Sequence, residues 1–343
     1  MTRLFEIKDK VFKFCAEYET YLKYAYKFVI ALVLFCVIND SIGFMAQIST
    51  FPVALLLALV CCLLPQTMTI LVAMVLVLLN LYTLSLEVAL VALLLMLIIF
   101  LLYFRFAPQD GILLLLTPIM FKFNLPYVLP IGTGLLRKVY SVVAIVCGTV
   151  MFYFLDGVYQ NITTLGGTVA GDDEVSTKIT VTVNQLLTNR EMFLVLAIFI
   201  LTTIIVYTIR RLSIDNAWKI AIVSGTLVQI SGLFAGYLLF NVSGKTLGMI
   251  IGNIISLLLG FVLEFLFMDL DYTRTERVQF EDDDYYYFVK AIPKKMVTSS
   301  EKTVKHFGSS FMAERTERRK EEDVREGRKL IAEELDIDED LLN

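Results

Sequence analysis

Chemistry-bearing side chains are scarce through the first 267 residues of this 343-residue chain. The one histidine, His306, lies in the C-terminal tail, which excludes a histidine-based metal site or proton relay in the apolar body. Five cysteines (Cys15, Cys36, Cys61, Cys62, Cys147) show no ligand or disulfide spacing. Four of them sit in apolar runs and read as packing thiols. No phosphate-cradling glycine loop, GxSxG elbow or HExxH pair occurs. Intramembrane proteolysis and proton pumping lack their usual acids and bases. The chain is therefore expected not to be an enzyme and to need no cofactor or metal. A basic surplus is missing as well. The net charge is −4, and from Met268 onward 14 Lys/Arg face 20 Asp/Glu. Nucleic-acid binding needs a basic face and is excluded.

Apolar residues are abundant: 57% of the chain, with mean hydropathy +0.72. Soluble domains run at about 45–50%. The reading is an all-α polytopic integral membrane protein whose first partner is the lipid bilayer. Eight runs can span: Phe28–Ile38 (extended back through Tyr24), Phe44–Leu64, Thr67–Leu84, Val88–Phe104, Val139–Leu155, Met192–Ile209, Ala217–Phe240 and Thr246–Phe267. The turns near Asn39–Ser41, Pro65–Gln66 and Ser85–Glu87 are short, so the first helices are antiparallel neighbours. No cleavable leader is expected, because the first run follows six basic residues and no small-x-small site comes after it.

The segment 108–138, PQDGILLLLTPIMFKFNLPYVLPIGTGLLRK, behaves differently. It never offers the roughly 20 uninterrupted apolar residues that a spanning helix needs. Pro118, Lys122, Asn124, Pro126, Pro130, Gly132 and Gly134 divide it into two arms, Ile112–Phe121 and Leu125–Leu136. Broken backbone at membrane depth survives only where protein or a wet cavity supplies hydrogen bonds. A broken hairpin, re-entrant or doubly spanning, is expected here, and Lys122, Asn124, Pro126, Pro130, Gly132 and Gly134 form the candidate site. A re-entrant hairpin would leave Lys122 near mid-depth in need of a partner or water; a spanning one would let it snorkel.

The remaining parts frame this segment. In residues 1–27, Leu4, Ile7, Val11, Phe14, Tyr18, Tyr21 and Ala25 share one helical face, with Lys8, Lys10, Lys13 and Lys23 off it. This predicts an amphipathic helix on the inner leaflet, the alternative being a coiled-coil seam. Residues 28–267 form the membrane domain, with a polar extracytoplasmic loop at 156–190 and a β-like patch, Lys178–Val183. Asn80, Gln229 and Asn253 are candidates for interhelical hydrogen bonds. With the N-terminus inside, the inner side collects 12 basic residues and the outer loops 3. That bias predicts a plasma-membrane protein with both termini cytoplasmic.

Gly244, Gly248, Gly252, Ser256 and Gly260 recur every fourth residue, and Gly232 and Gly236 share that spacing. Such rows, the pattern of a glycine zipper, let helix backbones approach closely. Packing within one protomer is expected, a homo-oligomer seam being the alternative. The cytosolic tail, 268–343, reads as a β-hairpin around Glu281–Asp284, a linker, a charged helix from Met312 to Lys329, and an acidic end. Leu330, Leu335 and Leu342 there could dock a cytosolic protein as a helix that orders on binding.

Two functions follow. One is a non-enzymatic membrane scaffold that docks a cytosolic partner through its tail, favoured because nearly charge-free helices give a substrate little to hold. The other is a transporter or channel for a small neutral or lipid-like substrate, built around the broken hairpin, with Lys122, Asn124, Gln229 and Asn253 as polar contacts.

Overall fold

The structure is a computed structural model that describes residues 2–166, 173–212, 214–240, 244, 246–268, 276–281 and 285–291. It is mostly helical. In chain order the α-helices are α1 Thr2–Glu17, α2 Glu19–Ile42, α3 Phe51–Leu63, α4 Gln66–Leu84, α5 Leu86–Phe106, α6 Gly111–Lys122, α7 Val128–Leu136, α8 Val142–Gln160, α9 Ile162–Leu165, α10 Asp173–Leu187, α11 Arg190–Arg210, α12 Ala217–Leu239 and α13 Thr246–Phe267. Seven helical stretches among the described residues are long and apolar enough to cross a membrane. They lie in α2, α4, α5, α8, the joined stretch Lys178–Arg210, α12 and α13. Leucines and phenylalanines on their outer faces are widely exposed, as bilayer-facing surface requires.

The expected run Phe44–Leu64 is not among these long helices, because only part of it is helical. Its helix, α3, has 13 residues, a rise of ~20 Å against a hydrocarbon core of ~30 Å. Hydropathy alone hides the reason. Pro52 sets the start of α3, and the preceding turn is tied down from α4. The Asn80 carboxamide oxygen accepts from the Met45 N–H at 3.1 Å and the Ser49 hydroxyl at 3.3 Å. Asn80 thus bonds to a turn rather than making the expected bond to a neighbouring helix.

The helices sort into two packed groups, and the segment between them is shared. Buried Leu34, Phe35, Ile70, Val77, Met96, Leu114 and Phe154 join α2, α4, α5, α6 and α8 in one core. Tyr127, Ile145, Phe199, Leu233 and Met249 join the α7 end, α8, α11, α12 and α13 in another, continued by Ile131, Leu135, Val206 and Ile222. The arm α6 packs on α2, α4 and α8; the arm α7 packs on α11, α12 and α13. The broken segment therefore has one leg in each group.

Three local readings are corrected. The β-like patch is helical, and the expected loop 156–190 is largely α8, α9 and α10. Val181 and Leu186 pack on the first core, the buried Thr182 hydroxyl bonds back to the Lys178 carbonyl at 2.8 Å, and tertiary burial overrides β-branched propensity. Lys8, read as lying off the apolar seam, is buried. Its ammonium reaches the Met268 carbonyl at 3.5 Å, past the end of α13, and lies over the Phe12 and Phe265 rings. A cation there complements the negative end of the α13 dipole. Ile7, Val11, Phe14, Tyr18 and Tyr21 stay exposed, and the helix breaks between α1 and α2 at Tyr18. In the tail, strands β1 Glu276–Glu281 and β2 Tyr286–Ala291 pair antiparallel, Val278 opposite Val289. The charged helix and Leu330, Leu335 and Leu342 lie outside the described residues.

Candidate functional site

The site is built from the ends of α6 and α7. At 12 and 9 residues, they rise ~18 Å and ~14 Å. Each is short of the ~30 Å hydrocarbon core. Pro118 removes one backbone donor from the middle of α6. The helix then closes at its tip in a Schellman turn, with Asn124 in the left-handed region at φ 56. The Leu125 N–H bonds to the Met120 carbonyl at 2.9 Å and the Asn124 N–H to the Phe121 carbonyl at 3.1 Å. Pro126 follows, and Pro130 falls in the first turn of α7, where a missing N–H costs little. The broken backbone is satisfied locally.

At the other end the legs converge. The Asp110 carboxylate, only 3% exposed, accepts the Ser141 hydroxyl at 2.6 Å and faces the Arg137 guanidinium at 3.6 Å. Arg210 donates to the Leu135 carbonyl, and Tyr103 donates to the Pro108 carbonyl at 2.7 Å. We call this end the base and the Asn124 end the tip.

Small residues let the α7 leg bury itself. A methyl group added at Gly134 would lie 2.7 Å from the Val206 side chain and 3.1 Å from the Thr203 carbonyl. At Gly252 it would lie 2.5 Å from the Tyr127 ring. Ser256, one turn on, donates to the Tyr127 carbonyl at 2.9 Å, and Gly260 faces Ile222 and Ile131. The row on α13 thus seats the tip. Gly232 and Gly236 instead meet Ile198 and Leu194 of α11, and Gly132 lies under Leu263.

Above the tip the same row opens out. Gly244 (φ 96) and Gly248 have no neighbour within 4 Å of an added methyl group, and they line a cavity of about 550 Å³. Its floor is Phe123, Asn124, Pro126 and Tyr127; its walls come from α8, α11, α12 and α13. Drug-sized ligand sites span about 300–1,000 Å³. A second cavity of about 330 Å³ adjoins it, sharing Phe121, Phe152 and Asp156. There Lys122 finds its partner: its ammonium lies 2.6 Å from the Asp40 carboxylate near the end of α2, both exposed.

Of the predicted site residues only Asn124 and Pro126 line this cavity; Lys122, Pro130, Gly132 and Gly134 do not, and sequence reasoning missed Phe123 and Tyr127 of the floor and Tyr153, Asp156, Glu191 and Tyr237 of the walls. Their only sequence signal was position, next to the ends of apolar runs. Gln229 and Asn253, expected as polar contacts, do not line this cavity. Both are fully buried. Asn253 bonds to the Met249 carbonyl of its own helix at 2.9 Å, and the Gln229 amide finds no partner among the described residues. No group of three or more metal-ligating side chains occurs among the described residues. No family model, curated protein or solved structure matches the chain.

Proposed function

We propose that this protein is a transporter or channel for a small solute, with the segment 108–138 as a re-entrant hairpin. One observation carries the reading: a 550 Å³ cavity ends on the tip of that hairpin, and broken helices are where membrane proteins build solute sites. The basic residues Arg137, Lys138, Arg210 and Arg211 cluster toward the base. By the positive-inside bias the base is cytoplasmic and the cavity is an outward vestibule. The packed, latched base and the open tip describe an outward-open state. Phe123→Cys, in a background without the five native cysteines, tests this. Phe123 is exposed on the vestibule floor, so small aqueous thiol reagents added outside should react and bulky ones should be resisted. Equal reactivity to both sizes would place the tip at the membrane surface and remove the vestibule.

A docking role for the tail is the second reading. Tyr285, Tyr286, Tyr287 and Val289 of the β1–β2 region are exposed, and among the described residues the sheet has two strands, so both are edge strands. A cytosolic protein could cover them.

A further inference from the structure

We propose that α11, α12 and α13 hold a buried water site, with the side chains of Thr202, Gln229 and Asn253 as its binding groups. All three are fully buried. Neither end of the Gln229 amide has a hydrogen-bond partner among the described residues, and the Thr202 hydroxyl and the Asn253 side-chain oxygen have none either. Neighbouring hydroxyls show the usual alternative. Thr203 and Thr226 each bond back to the carbonyl four residues earlier at 2.8 Å, and Thr202 makes no such bond. Polar groups left unpaired among apolar helices are costly, and lipid returns no hydrogen bond.

Packing brings the three side chains to one level. Short connections make α11, α12 and α13 antiparallel neighbours in turn. Gly260 of α13 rests on Ile222 of α12. Asn253 and Gln229 each lie seven residues from that contact, two turns toward the same side and on nearly the same face. On the other flank Val206 of α11 packs on Gly225 of α12, and the Thr202 methyl lies 3.6 Å from a methyl group added there. Gln229 is one turn beyond Gly225 and Thr202 one turn before Val206, so this pair is level too. None of the three lines the 550 Å³ cavity, and the site stands apart from the vestibule reading.

The ligand of such a junction must both donate and accept. A cation would meet the Gln229 N–H hydrogens and no carboxylate, because residues 192–209, 220–244 and 246–263 hold no charged side chain. An anion would face the orphaned Asn253 oxygen. An apolar molecule would leave all three groups unpaired. Water donates and accepts, and in buried sites it makes about three hydrogen bonds. One molecule bridges oxygens up to roughly 5.5 Å apart, two ordinary O–H···O lengths. It would link three helices whose polar side chains do not bond one another directly.

The test is radiolytic hydroxyl labelling of the purified full-length protein, in which a brief X-ray exposure makes radicals from water and marks the side chains beside it. Leu233, one turn beyond Gln229 on α12, is fully buried. It should label, and Phe154, equally buried in the other core, should not. Gln229→Leu should remove the Leu233 label. An unlabelled Leu233 in the parent protein overturns the water site, whether or not any variant folds. Thermal unfolding reads the same junction independently. Gln229→Leu should lower Tm, since it takes away the bonds that Thr202 and Asn253 share through the water. Adding Thr202→Val and Asn253→Leu should recover part of the loss, because removing every polar partner together is nearly neutral. A rise in Tm for each single apolar substitution, summing in the triple variant, would mean three dry and independent groups and overturns the proposal. A fall in Tm with Leu233 unlabelled assigns Gln229 a direct bond and overturns it as well.

Discussion

Asp110 and Arg137, at opposite ends of the broken segment, face each other at 3.6 Å across the base. The carboxylate belongs to the leg packed on α2, α4 and α8, and the guanidinium to the leg packed on α11, α12 and α13. The pair is thus a clasp between two helix groups. Its strength is unequally distributed. Asp110 is buried and bonded to Ser141 at 2.6 Å, whereas Arg137 is 47% exposed and water screens it.

The first prediction follows from that inequality. Ser141→Ala should cost about 1.5–3 kcal/mol, because it takes a hydrogen bond from a buried charge. Arg137→Gln should cost under about 1 kcal/mol. Thermal unfolding in one detergent ranks the two, and the reverse order would mean that the ion pair, not the hydroxyl, holds the base.

Breaking the clasp should also change access. If the base is the inner closure, Asp110→Ala should let a membrane-impermeant thiol reagent reach Phe123→Cys from the cytoplasmic side of inverted vesicles. Reactivity from that side equal to the parent's would assign Asp110 to folding alone.

Orientation is checked directly. Lys138→Cys, exposed at the base, should label only from inside, and Thr164→Cys, exposed between α8 and α10, only from outside. Labelling of Lys138→Cys in intact cells inverts the protein.

Gly252→Leu should destabilise the membrane domain by roughly 2–4 kcal/mol, since an overpacked contact at Tyr127 forces the tip off α13. Leu258→Ile, on the exposed face of the same helix, should be neutral. Similar melting of both proteins would mean that α13 does not seat the hairpin.

For the tail, full-length protein carrying Leu330→Asp and Leu335→Asp should lose a cytosolic partner that the parent retains through purification. Recovery of the same protein with both would take the terminal peptide out of the contact.

Legibility in the sequence was uneven for physical reasons. The hairpin could be read because Pro118, Asn124, Pro126 and Pro130 act on their own backbone, so their effect is local. The cavity above its tip could not. Asp156, Glu191, Tyr237 and Gly248 meet only after four helices pack, and no spacing along the chain encodes that. Lys122 showed its need for a partner, but Asp40 lies 82 positions away. The β-branched run in α10 misled because its local preference is smaller than the burial of Val181 and Leu186. In Phe44–Leu64 hydropathy registers composition and not the turn that Asn80 holds, so the helix there is shorter than the apolar run.

The division of the hairpin's legs also has a consequence for biosynthesis. Once residues through Gln160 have left the ribosome, α6 has α2, α4 and α8 to pack on. The main supports of α7, which are α11, α12 and α13, do not yet exist. A nine-residue helix is too short to span and marginal alone. The α7 leg therefore gains its main packing partners only after the last helix has been made.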